Sequence, residues 1–246
     1  MRERFYIGDI GISRVNLHST LDVIDSTLRK NKIGYICVTN SRVAHYANQH
    51  KEYCSIQNNS LLSVPDGVPL VWMAHNVGLK EVDKVSGKDL MDALFEISAK
   101  KNYSHYFYGS TPETINKLES NLMSQYPGID IAGAVSPPFQ PVEEFNIDEI
   151  ANEINKVKPS FFWCGLGAPK QELLIAKLQP KLESTICIGV GLAFEYIAGT
   201  VKRAPQWLRN IGLEWMYRLA QQPKNMSRAV RPLTWMGVQV IKSFSK

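Results

Sequence analysis

Six short apolar runs, each followed by a segment with helical periodicity, constrain the fold of this chain more than any other feature. The runs are too short for buried helices, and Gly, Pro, Asn or Asp residues bound them. Repeated strand and helix pairs are typical of a parallel sheet. We therefore predict an α/β fold with a Rossmann-like, mostly parallel sheet and helices on both faces. The predicted strands are residues 33–39, 61–64, 104–108, 129–134, 160–164 and 185–190.

Helix start signals lie between these runs. A Ser or Thr side chain before a helix accepts hydrogen bonds from free backbone N–H groups, and proline is favoured in the first turn. The pattern of strands and helices stops near Gly199, beyond which Arg203-Ala204-Pro205 interrupts the chain. The predicted helices begin at Ser19, at Thr111 with Pro112, and at Ala168 with Pro169, and they end near residues 30, 126 and 183.

The size and composition of the chain restrict its class further. With 246 residues, 44% of them hydrophobic, it can bury one sizeable core. It has no apolar run of eighteen residues and no apolar leader, so we expect a cytoplasmic protein. The cysteines are far apart and three of them lie in apolar runs, which predicts buried, reduced thiols. They are Cys37, Cys54, Cys164 and Cys187.

The last 47 residues are strongly basic. Residues 200–246 carry nine Lys or Arg against one acid, Glu214, so their net charge is +8, while the preceding residues sum to −3 because the whole chain is +5. We therefore divide the chain into an α/β catalytic domain, residues 1–199, and a basic amphipathic helical appendage, residues 200–246. Aromatic residues among the cations favour an anionic, partly apolar partner such as phosphorylated lipid at a membrane surface.

An apolar stripe accompanies these cations. Trp207, Ile211 and Trp215 are spaced four residues apart and would share one face of a helix. The stripe fits a lipid surface, but it would equally serve a homo-oligomer or pack on the sheet domain.

Asp66 is the first candidate for chemistry. In an open parallel sheet the ligand lies at the carboxyl ends of the strands, and Asp66 follows a predicted strand between Pro65 and Gly67. A carboxylate presented there is suited to act as a general base. The same tripeptide also fits a simple turn in which Asp66 caps the next helix, and the residues alone leave both readings open.

A glycine-rich loop follows the fifth predicted strand. Gly165 and Gly167 leave backbone N–H groups accessible, Pro169 suits a first helical turn, and Lys170 adds a positive charge, which together favour a diphosphate. Lys170 could equally be a solvated helix residue. Neither this loop nor the one ending at Gly191 has the GxGxxG or GxxxxGK[ST] pattern, which argues against an NAD(P) or P-loop site.

Two polar residues just beyond predicted strands suit a sugar or ribose hydroxyl. They are Asn40 and Glu195, although Asn40 could be only a helix cap. The histidines lack metal-ligand spacing, and no Asp-x-Asp triplet occurs. We therefore expect no metal site and a mechanism that does not use a metal ion.

Several stretches together resemble one protein family. In order and spacing, the chain is similar over nearly its whole length to the WecG/TagA/CpsF family of bacterial glycosyltransferases. The matching stretches are Val38-Thr39-Asn40, Pro65-Asp66-Gly67-Val68, residues 85–90, Tyr126-Pro127-Gly128, residues 165–172, residues 189–199, Arg203-Ala204-Pro205-Gln206-Trp207 and residues 212–219.

The resemblance implies an activity. It implies an inverting, metal-independent transfer of a hexose or N-acetylhexosamine-type sugar, N-acetylmannosamine among them, from a UDP-sugar to a polyprenyl-diphosphate-linked sugar, with no cofactor. Such a reaction serves cell-surface polysaccharide or teichoic acid synthesis, on the inner face of the bacterial cell membrane and at an anionic surface. Asp66 would be the general base that acts on the acceptor hydroxyl.

The resemblance also implies roles for other residues. Gln171 and Asn40 would orient a sugar, and Glu195, where the family usually has Asp, would contact the nucleotide. Lys84, where the family prefers Arg, would meet a diphosphate. Thr39 is the remaining polar candidate beside Asn40. The leaving UDP would be met by cations and glycine N–H groups. These further donor contacts are Gly109, Gly165, Gly167, Lys170 and Gly191.

Three arginines of the appendage complete the predicted site. Arg203, Arg218 and Arg228 would contact the lipid-linked diphosphate, and Asn225 stands where another arginine is usual. The competing hypothesis is a non-catalytic nucleic-acid-binding protein whose basic aromatic tail grips phosphates and stacks bases. We favour the glycosyltransferase, which has no nucleic-acid partner.

Overall fold

The computed structural model describes residues 3–221 and 226–243, and within these it leaves out the side chains of residues 218, 219 and 226–230. The chain opens with an antiparallel hairpin, β1 (Arg4–Ile7) and β2 (Ile10–Ser13), which the sequence analysis did not predict. Ile7 and Ile10 flank the two-residue turn and are buried. Gly8 in that turn has φ +62°, a conformation that favours glycine.

The six predicted strands are confirmed and form one parallel sheet. The strand order is β4-β3-β8-β7-β5-β6. β3 and β4 therefore pair at one side of the sheet, and β8, the last strand in sequence, lies between β3 and β7. The strands are β3 (Gly34–Thr39), β4 (Leu62–Pro65), β5 (Ser104–Gly109), β6 (Asp130–Val135), β7 (Phe161–Gly165) and β8 (Ile186–Gly189).

Twelve helices lie within the described ranges, along with 3-10 turns at Val142–Glu144 and Gln179–Lys181. Thr111 caps a helix as predicted, but the first helix begins earlier than expected. Its cap is Asn16, and Ser19 completes a capping box with it rather than capping the helix itself. The helices are α1 (Leu17–Arg29), α2 (Ser41–Gln49), α3 (Lys51–Asn59), α4 (Val68–Asn76), α5 (Gly87–Lys101), α6 (Pro112–Gln125), α7 (Ile147–Val157), α8 (Lys170–Leu178), α9 (Ala193–Ala198), α10 (Gln206–Asn210), α11 (Glu214–Gln221) and α12 (Met226–Ser243).

Both faces of the sheet are buried, as its continuous apolar strands require. Along β7, Phe161 and Trp163 pack into the cluster with α1, α5, α6 and α9, whereas Phe162 and Cys164 pack into the cluster with α7 and α8. All four cysteines lie in the described part and are buried and unpaired, as predicted. None of the described helices has the length and apolarity needed to cross a membrane.

The segment after Gly199 is built differently from the single amphipathic helix that the stripe suggested. α10 ends before Gly212, which has φ +77° and whose place against Val68 leaves little room for a side chain. The stripe residues therefore belong to two short helices and the turn between them, but Trp207 and Ile211 remain 64% and 51% exposed. The packing of α12 on α2 and α4 buries Met236. The division at residues 199 and 200 stays a prediction.

Candidate active site

The carboxyl ends of five neighbouring strands bring most of the predicted site residues to one edge of the sheet. Because all the strands are parallel, the residues that follow them emerge at the same edge. In spatial order these are Asp66 after β4, Asn40 after β3, Gly191 and Glu195 after β8, Gly165 at the end of β7 with Gly167 just beyond it, and Gly109 at the end of β5.

Asp66 is held against the end of β3. Its backbone N–H donates to the carbonyl of Thr39 at 2.7 Å, and the residue is half-buried. The Thr39 side chain is fully buried, and its hydroxyl hydrogen-bonds Gln57 Oε1 at 2.9 Å and Ser63 Oγ at 2.8 Å. Thr39 thus ties the ends of β3 and β4 together and positions Asp66 through the backbone.

Asn40 is a helix cap. Its Oδ1 accepts the backbone N–H groups of Arg42 at 3.0 Å and Val43 at 3.1 Å. This confirms the alternative that Asn40 caps the following helix. The two hydrogen bonds also fix the direction in which its amide nitrogen points. A contact between that nitrogen and a sugar remains a prediction.

Gln171 links the two glycine loops. Its Oε1 accepts the N–H of Gly167 at 3.1 Å and that of Gly191 at 2.9 Å. A Cβ on Gly189 would approach the Gln171 amide to 2.8 Å, so glycine is required for this side chain to fit. The two N–H groups predicted to face an anion are therefore already paired, and Gln171 acts here to hold the two loops at a set spacing.

A buried carboxyl orients Gln171 in turn. Glu172 is 0% exposed; its Oε1 accepts from Gln171 Nε2 at 2.7 Å, and its Oε2 accepts from the Tyr53 hydroxyl at 2.9 Å. Burial raises the pKa of Glu172, although these hydrogen bonds oppose the shift. Neither Glu172 nor Tyr53 was predicted as a site residue, because the pairing spans 119 residues of sequence.

Glu195 lies in α9, which follows β8, two strands away from β4 and Asp66. Its Oε1 accepts the hydroxyl of Ser110 at 2.8 Å, and its Oε2 is buried with no hydrogen-bond partner among the described residues. Gly109, just before Ser110, has φ +136°, and a Cβ there would lie 2.6 Å from the backbone of Gly165. Glycine thus lets β5 and β7 end in contact. Glu195 keeps one oxygen that can accept a ligand hydroxyl.

Arg203 reaches this edge from the C-terminal segment. Its NH1 lies 2.6 Å from Asp89 Oδ1, while its NH2 lies 2.9 Å from Asp89 Oδ2 and 2.8 Å from Ser86 Oγ. Burial would lower the pKa of Arg203, but Asp89 and the charges of Glu214 and Asp66 raise it. Val85, next to Ser86, donates its backbone N–H to the carbonyl of Pro65 at 2.8 Å, which ties the Arg203 contacts to the segment that carries Asp66.

Asp89 is a site residue that the sequence analysis quoted within a motif but gave no role. Burial would raise its pKa, yet hydrogen bonds from Arg203 and Ser86, with the charges of Arg203 and Arg209, bring that pKa to about 2. Arg209 NH1 lies 3.8 Å from Asp89 Oδ1. The Nε atoms of Arg203 and Arg209 are both buried without hydrogen-bond partners in the described ranges. The two guanidinium groups thus share one carboxylate and retain unused donors.

Two predicted cations have partners within the protein. Lys84 Nζ lies 3.1 Å from Glu214 Oε2, with both side chains about one-fifth exposed. Lys170 Nζ lies 4.7 Å from the ring centroid of Phe139 and 5.5 Å from that of Phe145. Arg203 is paired as well, but its Nε keeps a donor without a hydrogen-bond partner among the described residues. The side chains of Arg218 and Arg228, and the whole of Asn225, lie outside what the structure describes.

The described ranges contain no group of three or more His, Cys, Asp or Glu side chains arranged to hold a metal ion. His105, one of the histidines without metal-ligand spacing, is fully buried. Its Nδ1 accepts the Trp163 indole N–H at 3.0 Å, and its Nε2 lies 2.8 Å from Ser98 Oγ. Burial lowers the pKa of His105 to about 3.

Comparison with known proteins identifies the family. The sequence model of the glycosyl transferase WecG/TagA/CpsF family matches residues 5–246. The chain belongs to this family. Membership confirms the resemblance read from the motifs, and it makes the chain a glycosyltransferase by family.

Named relatives of the WecG/TagA/CpsF chain share one description. An N-acetylglucosaminyldiphosphoundecaprenol N-acetyl-beta-D-mannosaminyltransferase of Bacillus subtilis (strain 168) is 29% identical over 214 residues, 87% of this chain and 82% of the relative. The protein of that name from Bacillus spizizenii (strain ATCC 23059 / NRRL B-14472 / W23) is 28% identical, over 82% of this chain and 76% of its own length. The Staphylococcus aureus (strain MW2) protein is 28% identical, over 79% and 74%.

Proposed function

We propose that this protein transfers a hexose or N-acetylhexosamine-type sugar from a UDP-sugar to a polyprenyl-diphosphate-linked sugar. The names of its relatives describe transfer of N-acetylmannosamine to an N-acetylglucosaminyl diphosphate lipid, which supports both the acceptor class and the kind of sugar. The observation that carries the proposal is that Arg203 binds Ser86 and Asp89, next to Val85, whose N–H donates to the carbonyl of Pro65, the residue before Asp66.

The reaction follows from this arrangement. Asp66 removes the proton of the acceptor hydroxyl as that oxygen attacks the anomeric carbon, and the bond to UDP breaks on the opposite side, so the configuration inverts. Negative charge grows on the leaving β-phosphate. Arg203 and Arg209, with unused donors beside Asp89, can meet that charge without a metal ion.

The remaining residues orient the donor. Gln171 keeps the loops of Gly167 and Gly191 at a constant distance, so a diphosphate meets a preorganised surface. The unpaired Oε2 of Glu195 accepts a hydroxyl of the donor nucleotide. Asn40, through its amide nitrogen, contacts a sugar.

The acceptor is a lipid, so the protein works at the inner face of the cell membrane as a peripheral protein. Trp207, Ile211 and Met216 are half or more exposed, and they lie in a segment with a large positive charge. Exposed apolar side chains beside cations favour binding to an anionic lipid surface.

A panel of UDP-sugars tests the function. Purified protein is incubated with each donor and a short-chain prenyl-diphosphate-linked N-acetylglucosamine, with and without EDTA, and the product is followed by mass spectrometry. We expect transfer from one or a few UDP-sugars, with inversion at the anomeric carbon and no loss in EDTA. Failure with every donor would refute the transferase proposal, whereas a strict need for Mg²⁺ or Mn²⁺ would refute the metal-free mechanism alone.

A further inference from the structure

A cavity of about 280 Å³ lies between α2, the loop that precedes α8, and α12. It borders the sheet edge, because its residue Arg42 comes two positions after Asn40. No side chain lining it has a role in the transfer proposed above.

Two arginines and one histidine line this cavity, and its described lining contains no carboxylate. They are Arg42, His45 and Arg231. Arg42 NH2 donates to the carbonyl of Ala168 at 2.5 Å, which fixes the guanidinium at the wall. The Arg231 guanidinium is exposed and makes no hydrogen bond or ion pair with any described residue. Burial, followed by the charge of Arg231, lowers the pKa of His45.

The buried acid Glu172 interacts with the charge of Arg42, but it does not line the cavity. Glu172 lies behind Tyr53, whose hydroxyl donates to it, and burial raises the pKa of Glu172. Positive charge therefore faces the cavity without a fixed counterion in its lining.

The rest of the lining is apolar. Tyr46 and Tyr53 pack edge to face with ring centroids 5.0 Å apart, and Pro169 and Pro232 lie in the same wall. Arg231, Val238 and Ile241 are spaced by seven and three residues on α12, so they lie on neighbouring parts of one helix face. Val238 is 49% and Ile241 69% exposed. An apolar surface thus continues from the cavity along α12.

We infer that this cavity binds a phosphate group that is attached to a hydrocarbon chain. Arg42 and Arg231 hold the phosphate by charge-assisted hydrogen bonds, and the apolar wall with the exposed face of α12 lies along the chain. The inference rests on the proposed function only for the two lipids that we consider as sources of the phosphate. These are the prenyl diphosphate of the acceptor and the headgroup of an anionic phospholipid. Both offer the same chemistry to these side chains.

Farnesyl diphosphate is the soluble probe for the first source. Its affinity is measured by calorimetry for the full chain and for Arg42→Gln, Arg231→Gln and the matched control Arg29→Gln, an exposed arginine of α1. We expect each cavity substitution to weaken binding about tenfold or more, and the control to bind like the wild type. NMR of the His45 ring should show its pKa rising when the probe binds.

Vesicles of phosphatidylglycerol, compared with phosphatidylcholine, test the second source. Loss of vesicle sedimentation in Arg231→Gln assigns the cavity to a headgroup, and loss of farnesyl diphosphate binding alone assigns it to the acceptor. Unchanged binding of both probes in both cavity variants overturns the inference. The Arg231 guanidinium makes no hydrogen bond or ion pair with a described residue, so this variant should keep its melting temperature. Binding of UDP by the variants, which we expect to be unchanged, separates this result from failure of the transferase proposal.

Discussion

Arg203 and Asp89, 114 residues apart in sequence, form a bidentate ion pair, with NH1 to Oδ1 at 2.6 Å and NH2 to Oδ2 at 2.9 Å. The pair fastens the C-terminal segment to the N-terminus of α5. Asp89 is also hydrogen-bonded by Ser86, so the carboxylate is held from two elements. The position of the Arg203 guanidinium is thereby set by Asp89 and Ser86.

Asp89→Asn should loosen this attachment and change the acid stability of the protein. Loss of a charge-assisted hydrogen bond costs about 1.5–3 kcal/mol. The pKa of Asp89 in the folded chain, about 2, lies below its ordinary 3.8. Its contribution to stability is therefore fully present above about pH 4 and is lost as the pH falls towards 2. Urea unfolding at a series of pH values measures both effects.

The control for this prediction is Glu113→Gln, an exposed carboxylate paired with Lys117 on one helix. Its loss should change stability little, because an exposed ion pair is screened by solvent. Equal effects of the two substitutions would show that the Arg203–Asp89 ion pair contributes no more to stability than an exposed ion pair.

Asp66→Asn should abolish transfer while donor binding persists. The amide cannot take a proton, and loss of a general base lowers kcat by about 10²–10⁴-fold. Turnover and calorimetric binding of the active UDP-sugar measure the two effects separately, with Asp22→Asn on the exposed part of α1 as the control. Retained turnover would take the base role away from Asp66.

Glu172→Gln and Gln171→Leu should behave differently. Glu172→Gln keeps an oxygen for the Gln171 amide, and its new amide can donate to the Tyr53 hydroxyl oxygen, so we expect a melting temperature close to that of the wild type. Gln171→Leu leaves the N–H groups of Gly167 and Gly191 without their acceptor, which costs about 1–3 kcal/mol. Donor affinity should fall with it. Unchanged UDP binding in Gln171→Leu would show that the loop spacing does not matter for the donor.

Substitution of exposed apolar residues should reduce membrane binding without unfolding. Trp207→Ser with Ile211→Ser removes apolar surface from α10 and the following turn, where both side chains are mostly exposed. Sedimentation with anionic vesicles should fall while the melting temperature stays constant. Met236→Ala is the contrasting variant: Met236 is 2% exposed, and its loss should cost about 2–5 kcal/mol. Vesicle binding by the double variant equal to wild type contradicts membrane docking through this surface.

His105 should make stability depend on pH in a separate range. Its pKa is lowered to about 3 from 6.5, so between these values the unfolded chain binds a proton that the folded chain does not. Stability should therefore fall by about 1.4 kcal/mol per pH unit as the pH drops below 6.5. Thermal unfolding of wild type and His105→Gln checks this, since the variant should lack that slope.

Local sequence patterns were sufficient to predict the parallel strands, the Thr111 cap and the edge position of Asp66. They were insufficient for the hairpin, whose short strands lie outside the repeated strand and helix pattern. They also misplaced the first helix cap at Ser19, because Asn16 and Ser19 cap reciprocally and either residue type fits. Gln171 was predicted from the family resemblance, but its two glycine partners depend on how β7 and β8 lie side by side.

The sequence by itself determined the α/β class, the family and the identity of the side chains that end each strand, because these follow from patterns within a few residues. Only the tertiary structure decided which charges meet. Lys84 pairs with Glu214 across 130 residues, and Arg203 pairs with Asp89. Such pairs depend on the order of strands and on where the C-terminal helices pack, and no local pattern encodes either. Long-range packing thus gave two of the predicted cations, Lys84 and Arg203, carboxylate partners within the protein.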